Sequence, residues 1–304
     1  MKKVFLLYLF VTSIVGTFFL FTNFASAEEK PEEKPVLTSL PQIIKSISTD
    51  GSFNLAGETL PKTFDVRERL DRELSVNAYW HSSTLINLKN ASRYFPIIQR
   101  ILAENGVPDD FKFLAVAESN LRNVVSSANA KGYWQFRKLA AKEFDLEVND
   151  EVDERYHIEK STEAAAKYLK QLHKRFGTWT DAAAAYNMGP TNYSRIKRNQ
   201  KESSYYNLNL GDESSRYVFR LVAMKEIMTN PDVYGFYLEN GDKYHELPAF
   251  YEVKVDASVS DWGDWAHKYG LTYRELKIYN PWLIDTKLTV INNTYYIKLP
   301  RKNG

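Results

Sequence analysis

The sequence predicts a mainly α-helical domain followed by a small α+β module, and two patterns carry this prediction. Between residues 76 and 230, apolar residues recur at helical spacing in several segments, most of which end at Gly, Asn or Pro. From residue 251 onwards, apolar and polar residues alternate, as they do in a half-buried strand. The pattern changes near residue 248, so we expect two structural units joined by residues 235–248.

Composition restricts the class of protein. The chain has 304 residues, enough for about two domains, and its 44% hydrophobic and 26% charged residues are ordinary for a globular protein. The formal net charge of +2 is too balanced to indicate a nucleic-acid partner. Aromatic residues make up 14% of the chain, which suits a sugar-binding cleft but suits a large core as well.

Several kinds of chemistry are excluded by what the sequence lacks. There is no Cys, which excludes disulfides, thiolate catalysis and Cys-ligated zinc. The five His are scattered and none forms an H-E-x-x-H pair, so we expect no metal site and no cofactor. The G-x-S-x-G and P-loop patterns are absent as well.

The first residues of the chain predict export. Lys2 and Lys3 precede an apolar run over residues 4–21, and residues 25–27 form an A-x-A cleavage site. We therefore predict a signal peptide over residues 1–27 and a location in the periplasm or cell envelope. The apolar run is nearly long enough to span a bilayer, so an uncleaved segment that associates with the membrane is the alternative.

Residues 28–75 are predicted to form a linker and an N-terminal arm. The start of this segment is charged and rich in Pro, and the remainder has the weak periodicity of an irregular segment. Helical spacing continues from residue 76 to about residue 105 in at least two pieces, and Pro96 fits the first turn of the second piece. Gly106 and Pro108 then end this helical region.

The next helix carries a carboxylate on its apolar face. Phe111, Leu114, Ala115 and Glu118 have spacings i, i+3, i+4 and i+7, so Glu118 points into the protein or into a cleft. Loss of water there raises the pKa of a carboxyl group, and a raised pKa suits a general acid at neutral pH. The structural alternative is a Glu that caps the helix, pairs with an Arg or lies at a solvated rim.

The surrounding segments are assigned structural roles. Asp109 and Asp110 fit an N-cap and a first-turn acid. The basic run at residues 195–201 fits a solvated turn, with contact to an anionic polymer as the alternative. Further helices are predicted over residues 138–144, 161–176, 181–186 (capped by Thr180) and 214–228.

The C-terminal unit is predicted to have the order βααβ. Strand alternation begins at Tyr251, and a helix over residues 260–269 follows. Thr272 and Glu275 then form the capping box of a second helix. A second strand is expected over residues 295–299.

Four motifs occur in a fixed order along the helical domain. They are Glu118-Ser119, A-N-A-K-G-Y-W-Q at residues 128–135, A-Y-N-M-G at residues 185–189, and Glu213 followed by Tyr217-Val218. In this order they resemble the lytic transglycosylase domain, which has an all-helical, goose-type lysozyme-like fold, and in particular its membrane-bound lytic murein transglycosylase D type. The C-terminal unit resembles a LysM module, a binder of N-acetylglucosamine-containing glycans. We therefore assign residues 76–234 to a lytic transglycosylase domain and residues 249–304 to a LysM-like module.

The resemblance implies a reaction on the glycan strands of peptidoglycan, with Glu118 as the single general acid and base. Glu118 would protonate the glycosidic oxygen between N-acetylmuramic acid and N-acetylglucosamine, and the acetamido group would assist at the anomeric carbon. The same residue would then deprotonate the C6 hydroxyl, which gives a 1,6-anhydro product without water. Glycosidases normally use two carboxylates, and the sequence offers no obvious second one.

The resemblance also implies a set of substrate-binding residues. They are Ser119, Gln135, Tyr186, Asn187 and Tyr217. Each has a structural alternative, which is a helix cap, a loop brace, a helix terminus or simple packing. Trp134 is expected in the core, and Glu213 is expected to have a structural role.

The sequence departs from the family patterns at two places. Residues 121–123 (L-R-N) stand where the family usually has Phe-x-Pro, and residues 256–258 (D-A-S) replace the usual first-turn glycine of the module.

One alternative function is that of a hydrolytic muramidase, which would need a second carboxylate to position water. The other is a non-catalytic peptidoglycan-binding protein, against which the intact Glu118 and Gln135 argue.

Overall fold

The computed structural model of the protein describes residues 45–301. The predicted signal peptide and the first part of the predicted linker lie outside the described residues. Within residues 45–301, none of the helices combines the length and the hydropathy needed to cross a membrane. These residues, from 46 onwards, belong to one compact unit, in which a helical domain is followed by a module that contains two strands.

The helical domain begins with a short hairpin and two long helices. Strand β1 (Asn54–Leu55) pairs antiparallel with β2 (Glu58–Thr59), and helices α1 (Phe64–Tyr79) and α2 (His81–Glu104) follow. Residues 64–75, the last part of the segment predicted to be irregular, are therefore helical. Buried residues of α1 recur at every fourth position, but the charged residues between them hide this pattern in the sequence.

Helix α2 continues through Pro96, so the predicted break at this residue is wrong. A proline inside a helix removes one backbone hydrogen bond and crowds the preceding turn. Pro96 itself is exposed, and the buried side chains of Ala91 and Ile98 lie on either side of it. Packing of both halves against the domain therefore outweighs the local cost of the proline.

The closing helix of the domain packs against several of the earlier ones. The remaining helices are α3 (Lys112–Ser119), α4 (Lys138–Glu143), α5 (Ile158–Phe176), α6 (Trp179–Met188), α7 (Pro190–Gln200) and α8 (Asp212–Thr229). Short 3-10 turns occur at Asp109–Phe111, Glu154–Tyr156, Tyr205–Asn207, Pro231–Tyr234 and Asn240–Asp242. Helix α8 packs against α1, α3 and α6, and Val218, Leu221 and Val222 are fully buried there. This packing brings the first turns of α8 to the end of α3.

The basic run predicted to be a turn forms most of helix α7 instead. Tyr193, near the start of this helix, is fully buried, and its hydroxyl donates to Asp181. Lys197 Nζ lies 2.8 Å from Asp181 Oδ2. The helix is therefore held by a buried tyrosine and an ion pair, neither of which the charge of the run reveals.

Two predicted helix caps are placed differently in the structure. Thr178, and not Thr180, caps helix α6, because Thr178 Oγ1 accepts from the amide of Asp181 at 3.1 Å. Asp109 and Asp110 begin a 3-10 turn without a side-chain cap. Both still have structural contacts, since Asp109 Oδ2 lies 2.5 Å from the Nζ of Lys112 and Asp110 accepts from the amide of Ala56 at 2.6 Å.

The C-terminal module has the predicted order βααβ. It consists of β3 (Phe250–Val255), α9 (Trp262–Lys268), α10 (Tyr273–Tyr279) and β4 (Tyr295–Pro300), with β3 antiparallel to β4. The capping box at Thr272 and Glu275 is confirmed, with Glu275 accepting from the Thr272 amide at 2.7 Å. Trp262, Leu276 and Ile297 are fully buried in a core separate from that of the helical domain. The predicted class, mainly α with a small α+β module, is confirmed.

Candidate active site

Glu118 lies in the last turn of helix α3, whose preceding residues are deeply buried. Phe111, Leu114 and Ala115, which share its predicted stripe, are all fully buried. The helix ends directly after it because Asn120 adopts a left-handed conformation with φ of 53°. Glu118 is half-buried, so its carboxylate stands at the boundary between the core and the surface.

Tyr217 provides the direct contact to this carboxylate. It projects from the second turn of α8 and is buried, and its hydroxyl donates to Glu118 Oε1 at 2.5 Å. Burial raises the pKa of Tyr217 well above its usual value, and the negative charge of Glu118 raises it further. The hydroxyl therefore remains a proton donor over the whole physiological pH range.

The environment raises the pKa of Glu118 to about 7. Burial is the largest cause, and the negative charge of Glu213 adds to it. The hydrogen bond from Tyr217 and the positive charge of Arg220 act in the opposite direction because they stabilise the carboxylate. A carboxyl group with this pKa can both give and take a proton near neutral pH, which is the property required of a general acid and base.

Glu213 and Arg220 complete the electrostatic environment of Glu118; Glu213 was expected to have only a structural role, and Arg220 was not predicted. Glu213 is exposed and lies one turn before Tyr217 on α8, and Arg220 lies about one turn after it. Both therefore share a face of the helix with Tyr217. That spacing, four residues before and three after the tyrosine, is the signal that could have identified them.

The loop after α3, residues 120–137, holds the second motif and is called the motif loop below. Its backbone is folded on itself by bridges of Lys131 with Val125 and with Phe136. Gln135 has φ of 51°, and its side-chain NH2 group donates to the carbonyls of Gly132 at 2.8 Å and Val124 at 3.1 Å. These bonds use only the nitrogen, so the amide oxygen of Gln135 is the atom that could bind a ligand.

Ser119 and Tyr186 both attach to the backbone of the motif loop. Ser119 is buried, and its hydroxyl lies 2.8 Å from the carbonyl oxygen of Tyr133. The hydroxyl of Tyr186, at the end of α6, donates to the carbonyl of Trp134 at 2.7 Å. Burial, followed by the charge of Glu118, raises the pKa of Tyr186 well above its usual value. The contact of Ser119 and Tyr186 with a substrate stays a prediction.

Asn187 and Trp134 complete the predicted set. The Oδ1 atom of Asn187 accepts from the hydroxyl of Ser214 at 3.1 Å, which leaves its NH2 group as the donor for a ligand. Trp134 is fully buried and its indole nitrogen donates to Thr162 at 3.0 Å, as expected of a core residue. Tyr217 thus contacts Glu118 directly. Gln135 lies in the motif loop, and Asn187 lies at the end of α6.

The sequence matches two known domain families. Residues 95–209 match the family described as "Transglycosylase SLT domain", and residues 251–303 match the family described as "Soluble lytic transglycosylase C-terminal LysM-like domain". The chain therefore contains an SLT transglycosylase domain followed by a LysM-like domain, as its motifs predicted. The helical architecture and the SLT match also confirm the predicted lysozyme-like class of the first domain.

Individual proteins show the same similarity. Membrane-bound lytic murein transglycosylase D of Escherichia coli (strain K12) is 28% identical over 270 residues, which cover 85% of this chain and 58% of the relative. This chain thus spans less than two thirds of the length of that relative. Among solved structures, an inactive mutant of the lytic transglycosylase Slt from Pseudomonas aeruginosa has a TM-score of 0.35 and 17% identity, covering 50% of this chain and 26% of the other.

Proposed function

We propose that this protein is an exported peptidoglycan lytic transglycosylase that acts in the cell envelope. The observation that carries the proposal is the contact between Glu118 and Tyr217, in which a carboxyl group with a pKa of about 7 receives a hydrogen bond from a buried tyrosine. The SLT and LysM-like matches and the name of the Escherichia coli relative support peptidoglycan as the substrate. The export signal at the start of the sequence supports the location.

The proposed reaction breaks the β-1,4 bond between N-acetylmuramic acid and N-acetylglucosamine. Protonated Glu118 gives its proton to the glycosidic oxygen, which leaves as the hydroxyl of N-acetylglucosamine. The acetamido carbonyl oxygen of the muramic acid bonds to the anomeric carbon as the old bond breaks. Ionised Glu118 then takes the proton of the C6 hydroxyl, whose oxygen displaces the acetamido oxygen. The products are a 1,6-anhydro end and a regenerated acid.

Tyr217 is proposed to stabilise Glu118 in the ionised state that occurs during this reaction. Its hydroxyl donates to the carboxylate and stabilises the ionised form that arises after the first step. Gln135 and Asn187 offer an amide oxygen and an amide nitrogen, which suit the hydroxyl and acetamido groups of a sugar. We propose them, with Ser119 and Tyr186, as the residues that hold the glycan.

A hydrolytic muramidase is the second candidate, and Glu213 is the observation that favours it. Inverting glycosidases use a second carboxylate to activate water. Glu213 is exposed and close enough for its charge to raise the pKa of Glu118. Its place on the first turn of an exposed helix end leaves it free to contact water.

Product analysis separates these candidates. Purified peptidoglycan is digested with the wild-type protein, with Glu118→Gln and with Glu213→Gln, and the fragments are identified by mass spectrometry. We expect 1,6-anhydro ends from the wild type and from Glu213→Gln, and a strong loss of cleavage in Glu118→Gln. Reducing ends without anhydro products would contradict the transglycosylase, and loss of those ends in Glu213→Gln would support the muramidase.

The module is proposed to bind the glycan strand through a groove beside its first helix. The groove has a volume of about 580 Å³ and is lined by Asp261, Asp264, Trp265 and Lys268, among others. An aromatic ring with several polar groups is a suitable surface for a sugar. Replacement of Trp265 by Ala is expected to weaken cosedimentation with insoluble peptidoglycan; unchanged cosedimentation would contradict this role.

A further inference from the structure

We propose that the LysM-like module has a second role, which is to support the motif loop of the catalytic domain. The support passes through residues 147–154, which we call the docking hairpin. Its two ends are joined by the amide of Glu154, which donates to the carbonyl of Glu147 at 2.9 Å, and its tip by the amide of Asn149, which donates to the carbonyl of Val152 at 2.8 Å. One side of this hairpin contacts the module and the other contacts the motif loop.

The tip of the docking hairpin is part of the module's own core. Val152 is fully buried and packs in one cluster with the buried apolar side chains of the module. The backbone is joined as well, since the amide of Asp153 donates to the carbonyl of Trp282 at 2.9 Å and the amide of Ile284 donates to the carbonyl of Glu151 at 3.0 Å. The module is therefore docked on the catalytic domain through buried apolar and backbone contacts.

Side chains on both sides fix this docking. The hydroxyl of Tyr295 donates to the carboxylate of Glu147 at 3.0 Å. Glu151 accepts two hydrogen bonds from Thr289, one from its amide at 2.5 Å and one from its hydroxyl at 3.0 Å. These bonds link two acidic residues of the hairpin to the turn before β4 and to the start of that strand.

The opposite side of the hairpin holds the motif loop. Asp153, whose side chain is 1% exposed, accepts from Arg155 Nε at 2.8 Å and from Arg155 Nη2 at 2.7 Å. Arg155 Nη1 then donates to the carbonyl of Phe136 at 3.1 Å. Lys131 Nζ of the motif loop also lies 3.6 Å from Asp153 Oδ2. Asp153 therefore binds the module with its backbone and the motif loop with its side chain.

The motif loop lies directly against the residue after the hairpin. A Cβ atom added at Gly132 would lie 1.9 Å from the carbonyl oxygen of Arg155, so only a glycine allows this approach. Gln135 follows three residues later, and its own side chain is bonded to the carbonyl of Gly132. A shift of the hairpin would thus be passed to the residue proposed to bind the sugar. In this arrangement Arg155 and Asp153 are positioning residues.

The first experiment removes the docking contacts and measures the motif loop directly. Hydrogen–deuterium exchange is followed in the full-length protein for the wild type, for Glu151→Ala combined with Tyr295→Phe, and for Val152→Asp, which places a charge in the module's core. Glu252→Gln, on the exposed side of β3, is the matched control. We expect roughly tenfold faster exchange at residues 131–132 of the motif loop in both docking variants, and no change in the control.

The second experiment acts on the other side of the hairpin. Arg155→Gln removes the bond to Phe136 but leaves the backbone bonds between the hairpin and the module. We expect faster exchange in the motif loop with unchanged exchange at the amides of Asp153 and Ile284. If Arg155→Gln caused a general loss of structure, exchange would increase both in the motif loop and at the amides of Asp153 and Ile284.

Activity provides a separate readout, and only this part rests on the proposed function. On short soluble glycans, which need no wall capture, the docking variants should lose kcat several-fold and raise KM, because Gln135 in the displaced motif loop is proposed to bind the sugar. If the wild type cleaves no glycan, the proposed function fails while the exchange result stands. If the motif loop exchanges at the wild-type rate in both docking variants, the inference is wrong whatever the activity.

Discussion

Two half-buried glutamates in the helical domain have pKa values that are shifted in opposite directions. Glu118 at the end of α3 has its pKa raised to about 7, whereas Glu159 in the first turn of α5 has its pKa lowered to about 2. Burial raises the pKa at both sites, so burial does not explain the difference. Glu159 lies 3.2 Å from His157 Nδ1 and is paired with Lys298 of the module, whereas Glu118 contacts a neutral tyrosine and lies near another carboxylate.

The comparison separates a carboxylate suited to chemistry from one suited to structure. A group with a pKa of about 7 exchanges its proton at physiological pH, whereas one with a pKa of about 2 stays ionised and can only hold a cation. The neighbours therefore decide the role, and variants that change the neighbours should move each glutamate towards the behaviour of the other.

The largest effect is expected from Glu118→Gln. The amide keeps the shape of the side chain but cannot give or take the proton, so cleavage should fall by roughly 10²–10⁴-fold. The rate of release of soluble fragments from peptidoglycan measures this loss. Glu163→Gln, an exposed replacement on α5, serves as the control and should retain the wild-type rate. Full activity in Glu118→Gln would remove the basis of the assigned site.

Replacement of Glu159 by Gln should change the acid stability. Because the pKa of Glu159 is about 2 in the folded protein and 4.5 for an unperturbed glutamate, the ionised group stabilises the fold above pH 4.5, and this contribution is lost as the pH falls towards 2. The loss in the wild type is on the order of 3 kcal/mol and should be absent from Glu159→Gln. Urea unfolding between pH 2 and pH 6 measures it, and equal pH slopes for both proteins would contradict the prediction.

Tyr217→Phe should shift the pH dependence of cleavage upwards. The hydroxyl stabilises ionised Glu118, so its loss raises the pKa of that residue. The first step needs protonated Glu118, so the alkaline limb of the pH–rate profile should move up by about one pH unit. The maximal rate should fall about tenfold. A pH profile of kcat on soluble glycan measures both changes. A downward shift of the limb would show that the hydrogen bond has the opposite role.

Glu213→Gln is expected to have the smallest effect, with the opposite sign. Loss of its negative charge lowers the pKa of Glu118, so the alkaline limb should move down by a few tenths of a pH unit. Because Glu213 is exposed, high salt should weaken the difference between the variant and the wild type. Asp232→Asn, an exposed change in the 3-10 turn that follows α8, provides the comparison. A salt-independent shift would contradict a charge effect.

Local patterns predicted the central residue but not all of its environment. The stripe that ends at Glu118 depends only on local spacing, and its apolar members Phe111, Leu114 and Ala115 are buried as that spacing predicted. Tyr217 was found only because its motif follows a known order. Glu213 was predicted to be structural, although its four-residue spacing to Tyr217 places both residues on one face of α8.

Long-range packing explains the errors in the fold. Helices α1 and α7 were missed because their stability comes from burial against α8 and from the contacts of Tyr193, and not from a strong local pattern. Val152 belongs to the core of a module that begins about a hundred residues later, so no window of sequence could have connected them. The order βααβ was predicted correctly because caps and strand alternation are local signals.

The close approach at Gly132 determines how the catalytic domain tolerates mutation. Gly57 and Gly106 also have positive φ, but a side chain there would meet nothing within 4 Å, so replacement costs about 1 kcal/mol of backbone strain. At residue 132 a methyl group would collide with a peptide carbonyl that cannot rotate away. A selection for active variants from random libraries should therefore return many substitutions at residues 57 and 106 and only glycine at residue 132.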